Sequence, residues 1–146
     1  MKEITVITWI LAGFGLTTFL PLMVAQLFML VKPNSRKTKD LLIGKNKEWR
    51  DKTHYKSALA FAWADWLVIF PLLVASYIGV FKGYSWGFML WIGLGLISIY
   101  FSIVFWIMEK EYTYPVCGWF VYYTYYWGFF LYWGISVVIY SFIRII

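Results

Sequence analysis

The sequence predicts an all-α integral membrane protein, a bundle of four transmembrane helices with a long basic loop between helices 1 and 2. Three observations carry that expectation. Hydrophobic residues make up 62% of the chain and charged residues 14%, against roughly 45–50% and 25% in soluble domains. The apolar residues gather into four runs, at about 4–31, 58–81, 86–108 and 116–143. Each exceeds the roughly 20 residues that cross a bilayer as a helix. The formal net charge of +6 also sits in one segment, Lys32 to Lys56, where nine Lys/Arg face Asp40, Glu48 and Asp51.

The length fits a single transmembrane domain over 1–146. Because cytoplasmic loops carry the excess of Lys and Arg, the 32–56 loop is expected on the cytoplasmic side. Four spans then put both termini on the non-cytoplasmic side. Beside membrane spans, a basic segment implies lipid headgroups as its partner and no nucleic acid. The first run is too long for the apolar core of a cleaved leader and reads as a span.

The lone Cys117 and lone His54 supply neither a metal-ligand set nor an axial histidine pair. No metal and no cofactor are therefore expected, and soluble-enzyme motifs are absent.

In the first span, Gly15, Thr18, Leu22 and Gln26 share one face, and Pro21 interrupts the hydrogen-bond ladder. Lipid offers Gln26 no partner, so that face should point inward. Asn46 to Tyr55 is expected as a short interfacial helix. The second span starts near Ser57 and places Asp65 about 12 Å along it, with a bend at Pro71 just beyond. Lys82 to Ser85 forms a tight turn that makes spans two and three antiparallel neighbours. On the third span, Gly87, Trp91, Gly95, Ser98, Ser102 and Glu109 form a stripe whose small members permit close helix approach. The fourth span carries eleven aromatic residues between Trp119 and Trp133. One of its stripes is Tyr122, Tyr126, Phe129, Trp133, Ser136 and Tyr140. Tyr125, Gly128 and Tyr132 line the neighbouring one.

Asp65 is the ionisable residue that stands out, set deep in an apolar run between Trp63 and Trp66. A charge there costs roughly 2.5–3.5 kcal/mol on insertion scales, so it needs an interior partner. Hydroxyls of the fourth-span tyrosines are candidate donors. The expected ligand-binding set is Asp65, Trp63, Trp66, Gln26, Tyr100, Ser102, Tyr122, Tyr125, Tyr126, Phe129, Tyr132 and Trp133. Asp65 and Glu109 are the candidates for any catalytic role.

Lys47-Glu48-Trp49 after the first span, Asp65 with Pro71 in the second, Ile99-Tyr100 ahead of Glu109, and an aromatic fourth span with Trp127 and Trp133 occur in a familiar order. Together they resemble the EXPERA group, which includes the emopamil-binding sterol isomerase and the sigma-2 receptor. The resemblance touches Lys47 to Trp133 and implies a sterol- or isoprenoid-like ligand held in the bundle. The isomerase's His and Glu, one turn apart on its first span, have no counterpart around Leu22 to Gln26. Binding is thus implied more directly than isomerisation, which needs both an acid and a base.

The function expected is binding of a rigid hydrophobic, sterol- or isoprenoid-like and in one version cationic, small molecule in an aromatic-lined intramembrane pocket. Isomerase activity is left open. The alternative is an accessory subunit of a larger membrane complex that contacts partners, quinones or pigments. A homodimer is compatible with either. A proton-coupled carrier built on Asp65 is a third reading, but the halves of the chain show no inverted repeat.

Overall fold

The computed structural model describes residues 3–108, 120 and 123–146, with the side chains of Met108 and Tyr126 left aside. Helix α1 spans Val6–Val31 and α2 Arg36–Leu42. Helix α3 spans Lys52–Ala64, a π-helical segment follows over Asp65–Ile69, and α4 spans Phe70–Phe81. Helix α5 spans Ser85–Met108. A second π segment covers Tyr123–Tyr132 and runs into α6, Trp133–Ile145. The described residues are all-α, and four of the helical stretches are long and apolar enough to cross a membrane: Val6–Val31, Lys52–Phe81, Ser85–Ile107 and Tyr123–Ile145.

The ends of these helices follow from side-chain chemistry. The Thr5 hydroxyl accepts from the Thr8 amide and caps α1. The Ser35 hydroxyl caps α2, and the Asp51 carboxylate caps α3 by accepting from the His54 amide at 2.8 Å. Each oxygen takes one amide that has no partner within its helix. These caps correct the expected helix at Asn46–Tyr55: Asn46 to Asp51 is not helical. The short helix lies earlier, at α2, and the second span begins at Lys52. At the other end of α4, Gly83 adopts a positive φ of 68°. Its amide bonds Val80 O and the Tyr84 amide bonds Gly79 O, both at 2.9 Å. That paired closure reverses the chain into α5.

The packing forms a ring. Helix α1 meets α3 and the first π segment, α4 meets α5, α5 meets α6, and α6 closes back on α1. The second span therefore changes partner midway. Its half nearest the basic loop leans mainly on α1, whereas its half nearest the 82–84 turn leans mainly on α5 and still reaches α1 through Tyr77 and Phe81. The π segment is where the change occurs.

Small residues set the closest approaches. A Cβ on Gly95 would come within 2.9 Å of Gly134 O, and one on Gly134 within 2.7 Å of Gly95 O. A Cβ on Gly87 would meet the Gly79–Val80 backbone at 2.3 Å. The small-residue stripe expected on the third span is thus the seam against α4 and α6. The inward face of α1 is likewise as expected, with Gly15, Thr18, Leu22 and Gln26 all buried.

Candidate functional site

Asp65 opens the first π segment. Its own amide still bonds the preceding helix, to Ala62 O and Phe61 O. Five residues on, the Phe70 amide returns to Asp65 O, the wide i to i+5 closure. Pro71 explains the widening: it has no N–H to donate, and its ring would clash with the carbonyl four residues back in a regular α-helix. A π turn opens the backbone at that place, and such turns recur at functional sites. Counted from Lys52, Asp65 stands about 20 Å along the helix at 1.5 Å per residue, because the helix starts five residues before Ser57.

The carboxyl group is 1% exposed, on the face turned to α1. From α1, the Gln26 side chain, 4% exposed, lies near enough to act on it. Even so, neither Asp65 oxygen nor Gln26 Oε1 has a partner in hydrogen-bond geometry. Three acceptor oxygens are therefore buried together, and the Gln26 amide NH2 is the donor that acts on the carboxylate from α1. Buried polar atoms are paired in the great majority of cases, and an unpaired carboxylate in hydrocarbon is costly.

The surrounding aromatics divide into two sets. Trp66 packs inward and donates its indole N–H to Met23 O at 3.2 Å. Trp133 is buried and donates to Leu11 O at 2.8 Å. Tyr125 donates to Thr18 O at 3.0 Å, and Phe129 meets Phe14 edge-on at 5.6 Å. These four lie against α1. By contrast Trp63, Tyr100 and Tyr132 turn outward, at 53%, 61% and 61% exposure, and do not line the interior with Asp65. Ser102 is buried and bonds back to Ser98 O at 3.2 Å, within α5. Tyr122, Glu109 and the Tyr126 side chain lie outside the described residues. The expected hydroxyl donor to Asp65 is not found among the described tyrosines. Tyr125 is committed to a backbone carbonyl, and so is Tyr77, which donates to Ala12 O at 2.6 Å.

One residue from Asp65, a cleft of about 370 Å³ is lined by Ser57, Ala60, Phe61 and Ala64. It runs along α3, the half of the second span that leans on α1. Phe61 bridges toward α5 by ring contacts with Phe101 and Phe105 at 6.5 and 5.6 Å.

Two features of the site go beyond what the sequence predicts. Helix α1 accepts aromatic N–H and O–H groups on Leu11, Ala12, Thr18 and Met23 carbonyls, and Tyr77 is one of the donors. A carbonyl looks the same under every side chain, so only the deep Trp and Tyr residues could have pointed there. The second is the π segment, for which Pro71 was the available signal. Among the described residues no group of three or more His, Cys, Asp or Glu could hold a metal. A scan of family models finds no match for the chain, and no curated protein or solved structure matches it.

Proposed function

We propose that the protein binds a hydrophobic small molecule carrying a cationic or hydrogen-bond-donating group, with Asp65 and Gln26 as the polar anchor. The observation that carries this reading is the trio of buried acceptors with no formed hydrogen bond, Asp65 Oδ1 and Oδ2 and Gln26 Oε1. The donor the protein itself offers there is the Gln26 amide NH2, which leaves acceptor capacity on the carboxylate for an ammonium or hydroxyl group of a ligand. A charge-assisted bond to a desolvated carboxylate is among the stronger polar contacts available.

The open cleft of about 370 Å³ along α3 is lined by Ser57, Ala60, Phe61 and Ala64 and not by Asp65 or Gln26, so a ligand body lying there would reach the buried anchor past Ala64. Phe61 offers a ring at its wall. A rigid sterol- or isoprenoid-like body suits these surfaces, which is also the class that the EXPERA resemblance implies. Isomerisation would need a second proton-transfer group besides Asp65, with Glu109 as the candidate, so the proposal stops at binding.

The test is binding of a fluorescent cationic amphiphile to purified protein in detergent, comparing wild type with Asp65→Asn. A loss of at least tenfold in affinity, with unchanged helix content by circular dichroism, is expected. Equal affinity would overturn the proposal.

A second reading rests on the outward aromatics. Trp9, Trp63, Tyr100, Phe120 and Tyr132 are all more than half exposed. Tyrosine hydroxyls turned toward lipid lack polar company, and a partner helix would supply it. On this reading the chain is an accessory subunit of a membrane complex. Mild solubilisation followed by native mass spectrometry separates the two: a stoichiometric partner favours the subunit, a lone chain the binder.

A further inference from the structure

We propose that the end of α1 nearest the basic loop carries a site for one anionic phospholipid, with the phosphate between Lys32 and Lys37 and the acyl chain along Leu27, Phe28 and Val31. The ion pairs of the basic segment lead to this site. Arg36 pairs with Asp40 at 2.8 Å and with Glu48 at 3.0 Å. Lys39 also pairs with Glu48, and Arg50 with Asp51 at 2.7 Å. Those contacts engage all three acids of Lys32 to Lys56. Lys32, Lys37, Lys45, Lys47, Lys52 and Lys56 make no ion pair among the described residues, so their charge is not neutralised by the acids of the segment.

Two of these six lysines stand over an apolar groove. Lys32 lines a depression of about 220 Å³ together with Leu27, Phe28 and Val31. The Lys37 ammonium lies 5.2 Å from the centre of the Phe28 ring, which brings it to the same place from α2. The volume is below the roughly 300 Å³ at which whole drug-sized ligands are held, but a stretch of acyl chain fits. An apolar floor ending under two ammonium groups matches an amphiphile with one anionic end. The bilayer supplies that molecule at high local concentration, and lysines at its surface attract anionic headgroups. The site is independent of Asp65.

The experiment is native mass spectrometry of the full chain in detergent, titrated with phosphatidylglycerol or phosphatidylcholine. Wild type is expected to retain one phosphatidylglycerol in preference to phosphatidylcholine. Lys32→Gln with Lys37→Gln should weaken that binding roughly thirtyfold, the effect of two cations beside an anionic headgroup. Lys45→Gln with Lys47→Gln, which removes the same charge outside the groove, should leave it within a few-fold. Val31→Trp, at an exposed position, fills the groove and should abolish retention with both lysines present. Equal losses from the two double variants would overturn the site in favour of a diffuse field. Retention of phosphatidylcholine as strongly as phosphatidylglycerol, or displacement of the lipid by millimolar inorganic phosphate, would overturn it as well.

Discussion

Trp133 and Tyr77 donate to consecutive carbonyls of α1, Trp133 to Leu11 O at 2.8 Å and Tyr77 to Ala12 O at 2.6 Å. Three spans thereby meet over one turn, and Gly15 makes the meeting sterically feasible. A Cβ at that glycine would lie 2.6 Å from the Tyr77 hydroxyl and 2.8 Å from the Trp133 ring. Since α1 also receives Tyr125 and Trp66, it serves as the common acceptor post for spans two and four.

Gly15→Ala should accordingly destabilise the bundle by about 1–3 kcal/mol, the usual cost of overpacking a filled interior. Gly13→Ala is the control, because nothing lies within 4 Å of its virtual Cβ. Unfolding in mixed micelles with increasing SDS, followed by tryptophan fluorescence, measures both.

Tyr77→Phe removes a hydroxyl and keeps the ring. Inside membranes such bonds average about 0.6 kcal/mol, and a loss of about 0.5–2 kcal/mol is expected here because Ala12 O loses its side-chain donor. The same unfolding assay reads it. No change would show that the Tyr77 ring, packed on Trp91 at 5.7 Å, supplies all of the contact.

Asp65→Leu separates an anchor from a lock. Since Asp65 is buried with only the Gln26 amide acting on it, replacing the acid by an apolar side chain should stabilise the fold by about 1–3 kcal/mol, the usual cost of a poorly paired buried polar group. A helix lock would be destabilised instead. The pairing of higher stability with abolished ligand binding would mark Asp65 as retained for function rather than for folding.

The π segment invites a deletion. An i to i+5 turn holds one residue more than its α counterpart, and Leu67 lies on its outward side, 67% exposed. Removing Leu67 together with Pro71→Ala should yield a regular helix whose two halves keep their faces toward α1 and α5. Removing Leu67 while keeping Pro71 places proline inside a regular helix and should cost about 3 kcal/mol. Thermal stability of the two variants decides it.

Acid should loosen the segment around α2 before it touches the spans. Hydrogen bonding from Arg36 holds Asp40 below the usual carboxylate range, and Lys39 does the same for Glu48. A lowered folded-state value means that the stabilisation is present at neutral pH and fades as pH falls below about 4, where both acids take up protons. Amide exchange of α2 between pH 7 and pH 3 measures this. Asp40→Asn with Glu48→Gln should flatten the profile.

Much of the architecture was legible in the sequence because membrane spans announce themselves by length and apolarity. The inward faces were legible too, since Gly15, Thr18 and Gln26, or Gly87, Gly95 and Ser98, contrast with their aliphatic neighbours. The fourth span gave less. With aromatics on every face, Tyr132 and Tyr125 look alike on a helical wheel, yet one turns outward and the other bonds Thr18 O. The π turn over Tyr123–Tyr132 also shifts the angular spacing on which such a wheel relies. The loop differs from expectation for another reason: Ser35 and Asp51 cap helices that start at Arg36 and Lys52, and those capping residues are a stronger start signal than the aromatic residues within 46–55.

The change of partner at Asp65–Ile69 bears on how the chain is assembled. During synthesis, the first span and the opening half of the second are available to one another before the third has emerged. That N-terminal hairpin can dock, with Tyr77 of α4 within reach of Ala12 O, while α4 still lacks its larger contact with α5. The remaining half closes once α5 arrives and reverses at Gly83, and α6 then seals the ring against α1. The widened turn thus lets the two halves of the second span turn different faces inward, one mainly to α1 and the other mainly to α5, without either being forced out of phase.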